Sequence, residues 1–327
     1  MERYAIWLIT GKCNLSCKHC YASIYRNRNE LSLKDIEKVA NNLKNIRVKR
    51  VGLTGGEPTL RKDITKICDI LFKNNIIPDI QTNLINLNEE LIDYVKEKNI
   101  HLYTSIESTK KEIQDRIRGE GIWKRIIENH EKIAKIGISF SPVVVITSLN
   151  ENELLELVKL AYNIGARKIS FLPLIPQGKA KENWNELKPS TKSLRMFLEK
   201  VNTLADDIKF NVHLFCMPFA EYFRYSEYIS VSPCYDEDVI DISPEGDIIF
   251  CDVLDEKISS LIEDKPEDAL KKLRESDTVR ISEERKEKVK ECKNCKVIDF
   301  CKAGCPARAY LTSKDYFKID PLCPLNK

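Results

Sequence analysis

The sequence predicts an α/β protein, an open and partial (β/α)6 barrel followed by a small cysteine-rich domain that contains a β-hairpin. Three observations lead there. From the start to about residue 215, apolar strand-like runs alternate with amphipathic helical stretches, the pattern of a parallel sheet with helical crossovers. Six such units are present, fewer than a closed eight-stranded barrel needs. After about residue 230 the periodicity changes, and seven of the twelve cysteines fall between Cys234 and Cys323.

The predicted strands are Tyr4–Thr10, Arg50–Thr54, Ile77–Thr82, His101–Ile106, Ser139–Thr147 and Lys168–Leu174. The helical stretches between and after them are Ser32–Ile46, Asp63–Asn74, Glu89–Lys98, Trp123–Ile136, Glu151–Ile164 and Ser190–Asp207. Ser32 with Asp35, and Asn150 with Glu153, read as capping boxes. Gly137 and Gly165 stand where helices should stop. Further on, Asp238–Ile242 and Asp247–Phe250 flank Ser-Pro-Glu-Gly and read as the hairpin. A lysine- and glutamate-rich stretch, Pro266–Lys290, reads as helical. The chain therefore divides into a barrel over 1–215 and a cysteine-rich unit over 216–327, the latter with a helical linker at about 256–290.

A chain of 327 residues can bury the core of one large domain and a smaller one. Lys+Arg number 53 against Asp+Glu 50, a formal charge of +3, and the charges are interspersed. That balance offers no case for nucleic acid. No apolar run is long enough for a membrane span, and the first residues do not form a signal peptide. We therefore expect a cytoplasmic protein with no membrane partner. In a reducing compartment twelve cysteines point to metal or redox chemistry rather than disulfides.

The most specific signal is Cys13-x3-Cys17-x2-Cys20, directly after the first strand. In parallel α/β folds chemistry collects at that edge of the sheet. Three thiolates can hold three irons of a four-iron cubane and leave the fourth open to a small molecule. A zinc site would want a fourth ligand, for which His19 is the nearby candidate, and a C-x-x-C redox pair would not need Cys13. One βα unit later, the second strand runs into Thr54-Gly55-Gly56-Glu57-Pro58. Paired glycines let the backbone approach a ligand closely, their carbonyls can accept from an ammonium group, and Glu57 adds negative charge.

Together these residues resemble the radical S-adenosylmethionine (radical SAM) superfamily, over roughly residues 4–215. The resemblance implies a TIM-like partial barrel and a 4Fe-4S cluster on Cys13, Cys17 and Cys20. It also implies that the amino and carboxylate groups of S-adenosylmethionine chelate the open iron. One electron then yields a 5′-deoxyadenosyl radical, which abstracts hydrogen from substrate. His19 occupies the family's aromatic position before the last cysteine, and Gly55, Gly56, Glu57 and Pro58 match its cofactor-binding segment. Ser105 and Glu107 fall where relatives place polar groups on the ribose. Thr82-Asn83 resembles a third-strand Thr-Asn-Gly, with Leu84 in place of the glycine.

The C-terminal cysteines, Cys234, Cys251, Cys292, Cys295, Cys301, Cys305 and Cys323, with Gly246 between the first two, resemble the SPASM extension of radical SAM enzymes. Soft, all-thiolate sets of this size suit iron–sulfur clusters better than a zinc ribbon. The resemblance implies two auxiliary clusters with crossed ligation. Cys292, Cys295, Cys301 and Cys323 would hold the outer one, and Cys234, Cys251 and Cys305 the inner one. Cys216 is the upstream candidate for the inner cluster's fourth ligand, although a buried strand cysteine is its simpler reading. Cys68, on the apolar face of a helix, is read as core.

SPASM relatives act on peptides, sulfatases, redox cofactors and tetrapyrroles. We expect hydrogen abstraction from a peptide or peptide-derived cofactor precursor, giving oxidation or cross-linking. The other readings are a heme-type (tetrapyrrole) or tungsten-cofactor maturation enzyme, an anaerobic sulfatase-maturase-like oxidase, and a non-enzymatic electron-transfer or zinc protein. Expected partners are that substrate, an electron donor such as ferredoxin or flavodoxin, and a separate peptide chaperone, since strand one begins close to the first residue. Pro176-Gln177-Gly178-Lys179 resembles a segment of cofactor-type members, where Lys179 would meet a carboxylate or solvent. Asp252, directly after Cys251, takes the place of the base proposed in sulfatase maturases.

Overall fold

In the computed structural model, which describes residues 2–326, every predicted strand forms, the two of the hairpin included, and three more join the same sheet. The strands are β1 (Arg3–Thr10), β2 (Val48–Gly55), β3 (Ile77–Thr82), β4 (His101–Ser105), β5 (Phe140–Ile146) and β6 (Ile169–Pro173). They continue with β7 (Val212–Leu214), β8 (Ile229–Val231), β9 (Val239–Ile242), β10 (Asp247–Ile249) and β11 (Lys257–Ser260). The sheet order is β11-β10-β9-β1-β2-β3-β4-β5-β6-β7-β8. Neighbours from β9 through β1 to β8 are parallel, and β10 alone is reversed, pairing antiparallel with both β9 and β11.

The parallel order follows from the helices that separate the strands, because a parallel pair needs a crossover. Those helices are amphipathic, and Ile36, Val39 and Leu43 of Leu33–Asn45 are fully buried. Ile67 and Leu71 do the same for Ile64–Lys73. Phe197 of Thr191–Ile208 meets Phe171 of β6 at 5.0 Å between ring centroids. The strands themselves alternate more subtly than a half-exposed sheet. In β3 to β6 the helix-facing side chains Ile80, Leu102, Val144 and Phe171 are buried. Their neighbours Gln81, Tyr103, Ser105, Val143, Val145 and Leu172 are only half-buried and face the barrel interior. That inner row is where a ligand can sit.

Several local expectations change. Ser32 caps its helix, accepting from Asp35 N at 3.2 Å. Asn150 does not cap the next candidate. Its side chain accepts from Thr147 N at 2.7 Å and donates to the carbonyls of Glu107 and Val145. Glu153 instead takes the hydroxyls of Ser108 and Thr109, both at 2.6 Å. These two polar side chains stitch together the ends of β4 and β5, which outweighs a cap. The stretch at 266–290 is two helices, Pro266–Arg274 and Asp277–Lys288, with Ser276 capping the second. β7 and β8 have three residues each, too short to leave a periodic signal.

The hairpin is not a separate appendage. β9 extends the sheet beyond β1, pairing Tyr4 with Val239 through Trp7 with Ile242. Its turn uses Gly246 at φ 83°, a left-handed conformation that glycine adopts without steric cost. Among the described residues no helix is long and apolar enough to cross a membrane.

Candidate functional site

The loop after β1 carries Cys13, Cys17 and Cys20 to the mouth of the barrel. All three line one cavity of about 200 Å³, together with Gly55, Gly56, His19 and Ser105. Backbone contacts hold the loop there. Gly56 N donates to Thr10 O and Glu57 N to Lys12 O, both at 2.8 Å. A Cβ on Gly56 would stand 2.1 Å from Lys12 O, so that strand end admits no side chain. The glycine pair therefore brings two backbone segments together as well as edging the cavity. Arg26 adds a hydrogen bond to Leu15 O at 2.6 Å, and Lys18 N bonds Ile117 O at 2.9 Å.

Glu57 is fully buried and its carboxylate is taken up by protein. It accepts from Thr59 Oγ1 at 2.7 Å, Thr82 Oγ1 at 2.8 Å and Asn83 N at 2.6 Å. Burial pushes its acid upward, with these bonds opposing. Glu57 thus links the ends of β2 and β3 rather than offering a free charge to the cavity. Pro58, also buried, opens a single 3-10 turn behind it.

Glu107 is likewise off the cavity wall. Its Oε1 pairs with Arg118 (Nε at 3.0 Å) and faces His19 Nε2 at 3.4 Å, while Oε2 accepts from Val145 N at 2.8 Å. Of the two residues expected near a ribose, Ser105 lines the cavity and Glu107 supports it from behind. His19 is buried, which holds its pKa down to about 4, so its ring is neutral near pH 7. Its Nδ1 has no partner.

Two residues outside the expected set point at the thiols. Arg118 Nη1 lies 3.8 Å from Cys17 Sγ, and Asn83 Nδ2 lies 3.9 Å from Cys13 Sγ. Asn83 belongs to the segment in which Leu84 replaces the expected glycine. Leu84 takes the glycine-like conformation itself, at φ 65°. Its strain is held by burial, by Leu84 N donating to Thr82 Oγ1 at 3.0 Å and by Asn129 donating to its carbonyl at 2.6 Å. The local chain shape survives the substitution.

The C-terminal cysteines separate into two groups. Cys292, Cys295, Cys301 and Cys323 line a cavity of about 340 Å³ closed by Phe219 and Ile319. Cys305, only four residues after Cys301, packs instead with Cys216, Cys251, Ile175 and Val253. On a continuous helix positions four apart share a face. Here Lys302, Ala303 and Gly304 are all left-handed (φ 47°, 64° and 85°), and the turn sends the two thiols to opposite sides. Cys234 joins the second group beside Cys305, and that neighbour holds the Cys305 thiol low while the Cys234 thiol rises.

Cys216 is not a strand cysteine. It follows β7 in a left-handed turn at φ 51°, and its carbonyl accepts from the Arg308 guanidinium at 2.7 and 3.3 Å. Arg308 also pairs with Asp320 at 3.1 Å, both fully buried, and its backbone N bonds Cys305 Sγ at 3.3 Å. Cys68 is in the core of helix Ile64–Lys73, away from both groups. The donor chemistry fits iron–sulfur centres: three thiols beside an accessible cavity, then two sets of four.

The family model described as the Radical SAM superfamily matches residues 7–161. The chain carries a radical SAM domain. Beyond that domain, the mycofactocin maturase MftC of Mycolicibacterium smegmatis is 24% identical, over 97% of this chain and 81% of that protein. The AdoMet-dependent heme synthase of Methanosarcina barkeri is 25% identical, over 98% of this chain and 96% of that protein. Among solved structures, Streptococcus suis SuiB bound to its precursor peptide SuiA superposes with a TM-score of 0.75 at 17% identity, covering 99% and 76% of the two chains. The radical SAM enzyme family brings a 4Fe-4S cluster and S-adenosylmethionine with it.

Three further residues connect this radical SAM domain to the C-terminal cysteines. Tyr21, next to Cys20, lines the cavity and donates its hydroxyl to Asp252 Oδ2. Tyr25 donates to Asp252 O at 2.8 Å, and Asp252 N bonds Asp241 Oδ2 at 3.0 Å. Tyr21 and Asp241 had no sequence signal of their own, because a tyrosine after a cysteine and an aspartate in a strand are both commonplace. Lys179 reaches Ser16 Oγ in the cysteine loop and meets no carboxylate among the described residues.

Proposed function

We propose that the protein is a radical SAM/SPASM oxidoreductase or maturase acting on a peptide or peptide-derived cofactor precursor. The observation that carries this reading is Tyr21. It lines the cavity beside Cys20 and packs against the group of Cys216, Cys251 and Cys305. One side chain thus separates the radical site from the inner thiols, so an electron left on an oxidised substrate has a short path away.

When bound, the 4Fe-4S cluster and S-adenosylmethionine supply one-electron cleavage and hydrogen abstraction. On this reading Cys13, Cys17 and Cys20 hold that cluster, and Gly55, Gly56 and Ser105 shape the nucleoside's place. Arg118 and Asn83 direct N–H groups at ligand sulfurs, which tunes a cluster. Asp252, hydrogen-bonded to Tyr21 and raised by burial, holds the proton lost from the substrate. Cys292, Cys295, Cys301 and Cys323 hold an outer auxiliary cluster. Cys216 completes Cys234, Cys251 and Cys305 around an inner one. The catalytic unit is then about 1–215 and the auxiliary unit 216–327, in the cytoplasm. The one-electron donor is of ferredoxin or flavodoxin type, and a separate peptide chaperone presents the substrate. The name of MftC and the SuiB–SuiA complex support a peptide substrate.

Anaerobic reconstitution tests this. About twelve irons per chain, if all three centres are cubanes, with 5′-deoxyadenosine formed on reduction, are expected. Zinc in place of iron, with no nucleoside, would sink the proposal. A second reading, modification of a tetrapyrrole side chain, is favoured by the heme synthase match, which spans nearly all of both chains. Turnover of a tetrapyrrole acid, and not of a short peptide encoded beside the gene, would decide for it.

A further inference from the structure

Arg285 is fully buried on helix Asp277–Lys288, yet its guanidinium makes no ion pair among the described residues. It donates from Nε to Lys302 O at 3.1 Å and from Nη2 to Ala303 O at 2.7 Å. Those two carbonyls belong to the left-handed turn that parts Cys301 from Cys305. The side chain therefore sits in the wall between the two cysteine groups. Its third nitrogen, Nη1, is buried without a partner.

A guanidinium with an unsatisfied buried donor is costly, because burial penalises both the charge and the missing hydrogen bond. Burial accordingly lowers the pKa of Arg285. The groups that oppose this are, in order, Cys305, Asp320, Cys234 and Cys292. Asp320 is already engaged by Arg308, Cys305 N and Leu322 N. What remains near the cation is thiol sulfur of both groups, Cys305 and Cys234 on one side and Cys292 on the other.

We infer that Arg285 is a potential-setting residue of the auxiliary clusters it stands between, its positive charge beside them and its free Nη1 a donor for cluster sulfur. This rests on the reading that the C-terminal cysteines hold iron–sulfur clusters. Hydrogen bonds to sulfur and nearby positive charge stabilise the reduced, more negative form of a cluster and raise its potential. Two of its three nitrogens fix the turn, and the third acts on the centre. That places the residue where it can favour electron acceptance by an auxiliary cluster.

The test uses the full chain with Cys13, Cys17 and Cys20 replaced by Ala, so that only auxiliary centres remain. Iron and sulfide are counted, and reduction is followed by electron paramagnetic resonance at a series of poised potentials. The parent is expected to show two reducible centres. Arg285→Gln should lower the midpoint of one centre markedly and the other less, at unchanged iron content. Arg285→Lys, which keeps the charge and loses the fork, should restore part of the shift. If Arg285→Gln does not assemble, Arg285→Lys against the parent carries the comparison. Midpoints that stay in place with full iron overturn the role of Arg285. A parent without reducible iron overturns the cluster reading itself.

Discussion

The N-terminal and C-terminal cysteines are arranged for opposite purposes. Cys13, Cys17 and Cys20 sit on a loop against a cavity whose far wall is the half-buried inner row of β3 to β6. Three thiols there leave room for an exchangeable partner. The C-terminal eight stand in two groups of four, and buried cations reinforce them: Arg308 grips Cys216 O and Arg285 grips the turn before Cys305. On the proposed reading four thiols would close a centre and suit it to passing electrons. The lesson is that thiol count and access, rather than the presence of cysteine alone, separate a reactive centre from a conducting one.

Cysteine replacement should break this contrast most strongly. Changing Cys13, Cys17 or Cys20 to Ala should abolish 5′-deoxyadenosine formation while the C-terminal iron stays. Changing Cys301 should remove about four irons yet leave uncoupled cleavage of S-adenosylmethionine. Cys216→Ala should alter iron content or the resonance signal as Cys251→Ala does. If both remain as in the parent, Cys216 returns to being an ordinary buried cysteine.

Glycine replacement offers a smaller, paired test. A Cβ on Gly56 would meet Lys12 O at 2.1 Å, and one on Gly304 would meet Asp320 Cβ at 2.3 Å. Gly56→Ala should cost about 1–3 kcal/mol and deplete only the N-terminal iron. Gly304→Ala should cost a similar amount and deplete only the C-terminal iron. Urea unfolding with metal analysis measures both, and iron lost equally from all centres would contradict the separation.

The mildest effect concerns pH. All four histidines, His19, His101, His130 and His213, lie in the barrel, and burial holds each pKa down to about 4. The folded state keeps them neutral while the unfolded chain binds protons near 6.5. Their contribution is thus present above pH 6.5 and is lost as pH falls toward 4, by up to about 1.4 kcal/mol per unit for each group. His130 is fully buried between Thr104 and Ile126 O and should weigh most. Unfolding followed from pH 7 to 5 should show the barrel weakening, and His130→Gln should flatten that slope. A slope unmoved by the substitution would exclude His130 as its source.

Much of this was legible from spacing. The six long strands, their helices and the three-cysteine loop carry patterns that need no neighbours to be read. β7 and β8 were invisible because three residues hold no period, and only the sheet edge of β6 turns them into strands. Asn150 looked like a cap because its local sequence permits one, and long-range carbonyls claimed it instead. Arg118 and Asn83 reach thiols 101 and 70 residues away in sequence, and Arg308 reaches the Cys216 carbonyl 92 residues away. No window of sequence contains both partners.

By itself the sequence determined the elements and the chemistry of the donors, because hydrophobic period and metal-ligand spacing are local properties of the chain. Spacing alone did not say which cysteines meet, and only the resemblance to the SPASM extension implied that Cys301 and Cys305 part. Cys301 and Cys305 are four residues apart and part company, while Cys216 and Cys305 are far apart and pack together. Only the tertiary structure decided that, because a run of left-handed residues reverses the chain. Buried arginines then hold distant segments against it, and neither effect has a periodicity to read.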